Sequence, residues 1–447
     1  MYNRKIFDQY KTIEDITSTE CIVHMGCGVH SMIAVVKKTA ETSSNLLLRS
    51  YSRLALDING TTGGFTRILD MLDKVQVQIS NFMRICVAIP KGFGAVRSVA
   101  ASKPILSEAA SLIMRNNPNY NLPDALINVL QSYAISHGDQ GELLVAAFFA
   151  QARDMYAQGT CHEHFPHDPT WFCPIFSVKD LLSNLFHEEH FSTLSNSLPS
   201  VRHTNFPSQK FSDVFGKTKM HFNHMIQPFS DNSIDRPYLV SIMARGAAVL
   251  GARCQPEFDM VYPYLFDTSD LVVNKVGFIV IQVKNNVNNL TPDDDLFKMM
   301  DPILCGLVNK DDGPGFTIPI IRIVFALGKG EPSFERMNYD SLTQGATTFD
   351  RNGRPQFTSY DFWCSGIGPD LLQPVDKDNA QTNWVTLLSN TDRWDCVFST
   401  SNAPDVQCSH FPGGGDNEDH YSAWMMSNIP LDSVDVALKP EWNWALS

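Results

Sequence analysis

The run Val276–Lys284, VGFIVIQVK, constrains this chain more than any other stretch. It is almost wholly apolar until Gln282, and it is bounded by Asn274 on one side and by Asn285 and Asn286 on the other. Such a run fits a central strand with both faces covered. Upstream, the stretch from Glu257 to Phe266 reads as a second buried strand and carries Asp259 among aromatic and β-branched neighbours. Polar side chains are costly to bury without partners. Asp259, Gln282 and Lys284 are therefore expected to meet at an edge of the sheet that solvent can reach. Period-two alternation puts Gln282 and Lys284 on one face of the strand and Val283 on the other.

That grouping has a chemical reading. A carboxylate and an amide oxygen suit a hard divalent cation, Mg²⁺ or Mn²⁺, that prefers oxygen ligands and keeps waters. The Lys284 ammonium would face a phosphate oxygen or the attacking water and balance developing negative charge. The plain alternative is that Asp259 starts a turn and Lys284 snorkels from a strand end. Around these residues, segment 236–328 reads as helix, Asp strand, QVK strand, helix and strand.

The words PEFDMVYPYLF and GFIVIQVKN in that order resemble the PD-(D/E)xK nuclease superfamily. The glutamine variant is similar to the Mrr-type restriction endonucleases and to Crinkler-associated nuclease domains. The resemblance implies a restriction-endonuclease-like mixed-sheet α/β core and a metal-dependent nuclease, with DNA rather than RNA as the expected substrate. It implies Asp259 and Gln282 as metal ligands and Lys284 as the catalytic lysine. The metal set of this reading also takes in Val283, between them. Nucleases of this superfamily often take a further Glu from a helix before the Asp strand, which points to Glu142. Gln282 is neutral, so another acid would make up the shortage of charge. The bland role of Glu142 is a carboxylate in the first turn of its helix, where the dipole favours it.

Length and charge frame this expectation. A chain of 447 residues suggests two to three domains. The reading divides it into an N-terminal region of unclear type (1–120), a nuclease-like core (121–330) with an insertion at about 159–235, and a loop-rich, Trp-rich extension (331–447). The net charge of −13 speaks against non-specific binding of nucleic acid by bulk charge. The N-terminal stretch lacks the apolar run of a signal peptide, and no segment approaches the roughly 18–20 apolar residues needed to span a bilayer. Ten cysteines scattered along the chain suggest a reducing, intracellular setting, cytoplasmic or nuclear. No phosphate-loop pattern GxxxxGK[ST] occurs.

Further signals are local. Cys21, His24, Cys27 and His30 repeat every three residues, a spacing that fits poorly around a tetrahedral zinc ion. Lys103 to Ala157 is helical in pattern, with Asp139 as an N-cap for a buried helix containing Glu142. Cys161, His162, His164, His167 and Cys173 are the densest set of soft ligands and could supply a structural Zn²⁺ site, though Pro166 and Pro169 read as loop. FSVKDLLSNLFHEEHF reads as one amphipathic helix with His187 and His190 on its solvent side. The span 192–236 reads as a polar connector whose KTKMHFNH could lie near a phosphate backbone. Helices are expected over Arg236 to Arg253 and from Asp294 to Leu307, and a buried strand over 317–328. The C-terminal aromatics could stack bases or form a protein-partner surface, but packing is favoured. The competing function is a catalytically inactive nuclease-like scaffold, acting as an interaction, regulatory or effector module.

Overall fold

The computed structural model describes residues 11–17, 121–130, 137–164 and, with short gaps, 174–389, together with isolated pieces between 84 and 114. The chain divides into two compact units, residues 1–58 with 68–389 and residues 59–67 with 390–447, and all described residues belong to the first. The Cys21–His30 quartet, His167, Cys173 and the Trp-rich stretch beyond residue 389 lie outside the described residues.

The chain enters through a short helix α1 (Ile13–Thr17) and a two-stranded antiparallel ladder of β1 (Arg84–Ala88) and β2 (Arg97–Ala100). Helices α2 (Leu122–Leu130) and α3 (His137–His164) follow. α3 starts before Asp139, so that residue stands inside the helix rather than capping it, and the helical backbone runs on through Cys161 and His164. Its apolar stretch from Leu143 to Phe149 is buried, as the near-continuous hydrophobic sequence requires.

FSVKDLLSNLFHEEHF is two helices, α4 (Val178–Leu185) and α5 (Glu188–Asn196). α4 opens on a capping box between Ser177 and Asp180. The break falls at Phe186, which takes an extended conformation, bridges to Leu372 and packs its ring against Phe334. Burying that ring outweighs continuing the helix. His187 is exposed as expected, while His190 is half-buried beside Phe334.

The span read as a polar connector holds α6 (Phe211–Phe215) and β3 (His224–Ile226). Lys219 forms an ion pair with Glu14, and His221, Asn223 and His224 are buried, so this stretch offers a phosphate only Lys217 fully exposed. His221 is packed against Arg153 and out of water. Burial first, then the nearby guanidinium, hold its imidazole down at about 3.

Arg236 to Arg253 splits into α7 (Arg236–Met243) and strand β4 (Ala247–Leu250), turned by Gly246 at φ +63. Strands β5 (Met260–Leu265) and β6 (Val276–Lys284) follow, and β6 spans the residues its apolar run predicts. The next helix, α8, covers only Asp294–Met299, and strand β7 is Ile320–Ala326. Beyond residue 330, where the sequence placed the end of the core, come β8 (Ser333–Arg336) and β9 (Ser359–Ser365), then α9 (Gln373–Asp376) and α10 (Gln381–Ser389).

Seven strands form one mixed sheet in the order β3-β4-β5-β6-β7-β9-β8. β6, β7 and β9 run parallel, β5 runs antiparallel to both β4 and β6, and β8 closes the far edge antiparallel to β9. The fold is thus mixed α/β, with β5, β6, β7 and β9 buried as the apolar sequences demand, while the edge strand β8 is only half-buried. On the Val283 face, Phe149 of α3 stacks on Tyr262 at 4.5 Å and meets Phe325 edge-on at 6.2 Å. On the Gln282 face, Arg322 of β7 and Asp361 of β9 form a fully buried pair. Arg322 also donates to the Phe297 carbonyl of α8 at 2.5 Å, which ties that helix to the sheet.

Candidate functional site

β5 and β6 form a long antiparallel ladder that fixes Met260 against Ile281 and Leu265 against Val276. Asp259 stands one residue before this ladder. Its amide donates to the Ile281 carbonyl at 2.8 Å, and its carbonyl accepts from the Gly251 amide at 2.6 Å. The backbone carrying the carboxylate is thereby held between two neighbouring strands. Gly251 is required there, since a Cβ on it would lie 2.8 Å from the Phe258 carbonyl oxygen.

The carboxylate meets the QVK strand directly. Asp259 Oδ2 accepts from Gln282 Nε2 at 2.8 Å and from the backbone N–H of Val283. It replaces the acceptor that a continuing β5 would have given that amide. Neither Asp259 Oδ1 nor Gln282 Oε1 takes a hydrogen bond from the described residues. Both residues are deep, at 8% and 3% exposure. Burial pushes the Asp259 carboxyl up to about 6, against the opposing pull of the Val283 amide, the Lys284 ammonium and the Gln282 amide. Lys284, half-buried at the end of β6, thus acts on Asp259 through its charge.

Asp259, Gln282, Val283 and Lys284 therefore come together at one end of the sheet. The parallel strands β6, β7 and β9 all finish at this end, with Lys284 level with Ala326 and Ala326 level with Ser365. The start of α3 reaches it too: a Cβ on Gly141 would lie 3.0 Å from Val283 Cγ1 and 3.0 Å from Asn285 Cβ. Glu142, the next residue, is half-buried. α3 packs on the Val283 face, opposite to that of Gln282 and Lys284, so the helix approaches the strand end from the other side.

Two features escape a local reading of the sequence. The first is the Arg322–Asp361 pair. Arg322 Nε donates to Oδ1 at 2.8 Å and Nη2 to Oδ2 at 2.6 Å, the Tyr339 hydroxyl donates to Oδ2 at 3.0 Å, and the rings of Phe297 and Phe357 flank the guanidinium. The signal was one arginine in IIRIVFA and one aspartate in SYDFWCS, each needing a partner inside an otherwise buried strand. The second is a cleft of about 590 Å³ on the same face, lined by Thr291 to Asp295, Lys298 and Trp363. Trp363 is level with Val324, which is level with Gln282. Three of the lining side chains are carboxylates, so the cleft is acidic.

Among the described residues, no group of three or more His, Cys, Asp or Glu side chains is gathered to hold a metal, and no helix is long and apolar enough to cross a membrane. Compared with protein families, with curated proteins and with solved structures, the chain matches none.

Proposed function

We propose that the Asp259–Gln282–Lys284 end of the sheet is the site of a metal-assisted phosphodiester hydrolase, with DNA as the first substrate to test. The observation that carries the reading is the state of Asp259. It is a deeply buried carboxyl with one oxygen tied to Gln282 and Val283 and the other open, under the influence of a lysine ammonium. The element order supports it: an aspartate opening one strand, an antiparallel QVK strand, a short helix and a parallel strand. That order agrees with the restriction-endonuclease-like core implied by the PD-(D/E)xK resemblance.

The donors suit a hard divalent cation, Mg²⁺ or Mn²⁺. Asp259 Oδ1 and Gln282 Oε1 would hold it, with the Val283 carbonyl on the same strand edge as its N–H, and waters would fill the remaining positions. The cation would lower the pKa of a bound water and polarise a phosphoryl oxygen. The chain's own residues do the rest. The Val283 and Gln282 N–H groups fix the Asp259 carboxylate in one orientation. Lys284 supplies a positive charge where the phosphate gathers negative charge. Glu142, on the other face, would have to reach around the strand end to add a carboxylate.

One observation favours a second reading, a nuclease-like scaffold that does not cut. The cleft beside the site is lined by Asp293, Asp294 and Asp295, which repel a polyanion approaching from that side, and the neutral Gln282 adds no charge to Asp259 for holding a cation that would offset them.

The test is cleavage of supercoiled plasmid and of single-stranded DNA by wild type, Asp259→Asn and Lys284→Ala, with Mg²⁺, with Mn²⁺ and with chelator. The hydrolase reading expects metal-dependent cutting that falls by at least roughly 100-fold in each variant. Wild type inert in every arm, or variants that cut as well as wild type, would establish the scaffold reading instead.

A further inference from the structure

We infer that α8 and the turn after it form a docking surface for a basic, amphipathic segment of a partner protein, whether or not the neighbouring site hydrolyses anything. Two independent properties coincide there. The first is apolar exposure. Met299, Leu304 and Phe349 are 38%, 54% and 40% exposed. The segments that carry them are tied together, because the buried Asp301 carboxylate binds the backbone N–H and hydroxyl of both Thr347 and Thr348, and the Thr347 hydroxyl meets the Lys298 carbonyl. Asp301 thus stitches the loop carrying Phe349 onto the turn that follows Met299 and carries Leu304. The other large exposed apolar side chains among the described residues sit elsewhere in the sequence, at Leu198, Val272, Val273 and Val385.

The second property is charge. Asp293, the N-cap of α8, and Asp294 and Asp295 in its first turn precede Met299 and line the adjoining cleft, with Lys298, paired to Asp295 at 2.6 Å, as the cation among them. The start of α8 therefore carries negative charge in excess. An apolar patch rimmed by polar residues marks an interaction site, and the sign of the rim selects the partner. Nucleic acid and anionic lipid headgroups are repelled by these carboxylates. A second copy of this chain, at a net charge of −13, is disfavoured as well. What fits is a segment with Arg or Lys on one side, facing the aspartates, and Leu-type side chains on the other, covering Leu304 and Phe349.

The probe is a labelled synthetic helix of about five turns, with arginine on one face and leucine on the other. Its affinity for the full chain is read by fluorescence anisotropy over a range of salt. Binding should weaken with salt and fall by roughly tenfold or more in Asp293→Asn/Asp295→Asn and, separately, in Leu304→Ser/Phe349→Ser. The Val385→Ser chain should bind as wild type does. All substituted side chains are exposed, and asparagine retains the helix-capping role of Asp293. Absence of binding overturns the proposal, as does equal binding by all variants. An arginine–serine peptide that binds as tightly as the arginine–leucine one also overturns it, because the surface would then be acidic only. Duplex DNA held by the same residues would assign the patch to nucleic acid and overturn it too.

Discussion

Replacing Asp259 with asparagine should make the protein more stable at neutral pH, and the size of the gain follows from the site. The carboxyl is raised from 3.8 to about 6, chiefly by burial. A shift of that size, at about 1.36 kcal/mol per unit, is worth about 3 kcal/mol. The folded pKa lies above the unfolded one, so the fold favours the protonated acid. The stabilising contribution is complete below about pH 3.8 and is lost as pH rises through about 6. Asparagine keeps an acceptor oxygen for the Val283 and Gln282 N–H groups and carries no charge to bury. The two chains should therefore have similar stability near pH 4, while the asparagine variant should be more stable by up to about 3 kcal/mol near pH 7. Urea unfolding at a series of pH values measures this, and the difference between the two chains removes every other titrating group. Added Mg²⁺ should narrow the gap at neutral pH by stabilising only the chain with a carboxylate. An asparagine variant less stable than wild type at pH 7, or a difference that does not vary with pH, would refute the reasoning.

Two further outcomes are expected of the frame around the site. Arg322→Leu leaves Asp361 fully buried without its bidentate partner and should cost about 3–5 kcal/mol in urea unfolding. Leucine at both positions should cost less than the two single changes added together, and a single-variant cost below about 1 kcal/mol would show that the pair is idle. Gly251→Ala places a methyl 2.8 Å from the Phe258 carbonyl oxygen and should destabilise by about 1–3 kcal/mol. It should also displace the backbone that presents Asp259, so the pH-dependent gap to Asp259→Asn should shrink in its background. An unchanged gap would show that the close approach does not position the carboxylate.

How far the sequence could be read depended on whether its signals were local. β6 and β7 were legible because each is an apolar run with polar or glycine boundaries, and tertiary contacts reinforced that pattern. Asp259 beside Gln282 was legible because burial forces polar groups in adjacent strands to find each other. Helix ends were less so. Phe186 breaks an amphipathic pattern because Phe334, 148 positions later in the sequence, offers its ring a place in the core. The small residues 246–250 read as helix because no local feature shows β3 and β5 waiting on either side of them. The Arg322–Asp361 pair joins residues on separate strands 39 positions apart, and period-two patterning says nothing about which polar residues will be neighbours. The acidic cleft was not legible because its aspartates stand at the start of the helix expected from Asp294, where Asp293 caps it and a first-turn carboxylate needs no other explanation.

The hairpin of β5 and β6 has a consequence for how the site comes into being. Asp259 and Gln282 are separated by only 23 positions, and the chain between them is mostly the two strands themselves. Bringing them together closes a short loop, whose entropic cost is small and grows only with the logarithm of its length. Contacts this local form readily during folding. The pairing of carboxylate and amide is thus a by-product of strand register. A slip of one residue would carry Gln282 to the opposite face and part them. Loops at the other strand ends can lengthen or change without touching that register, so the geometry of the two oxygens travels with one hairpin.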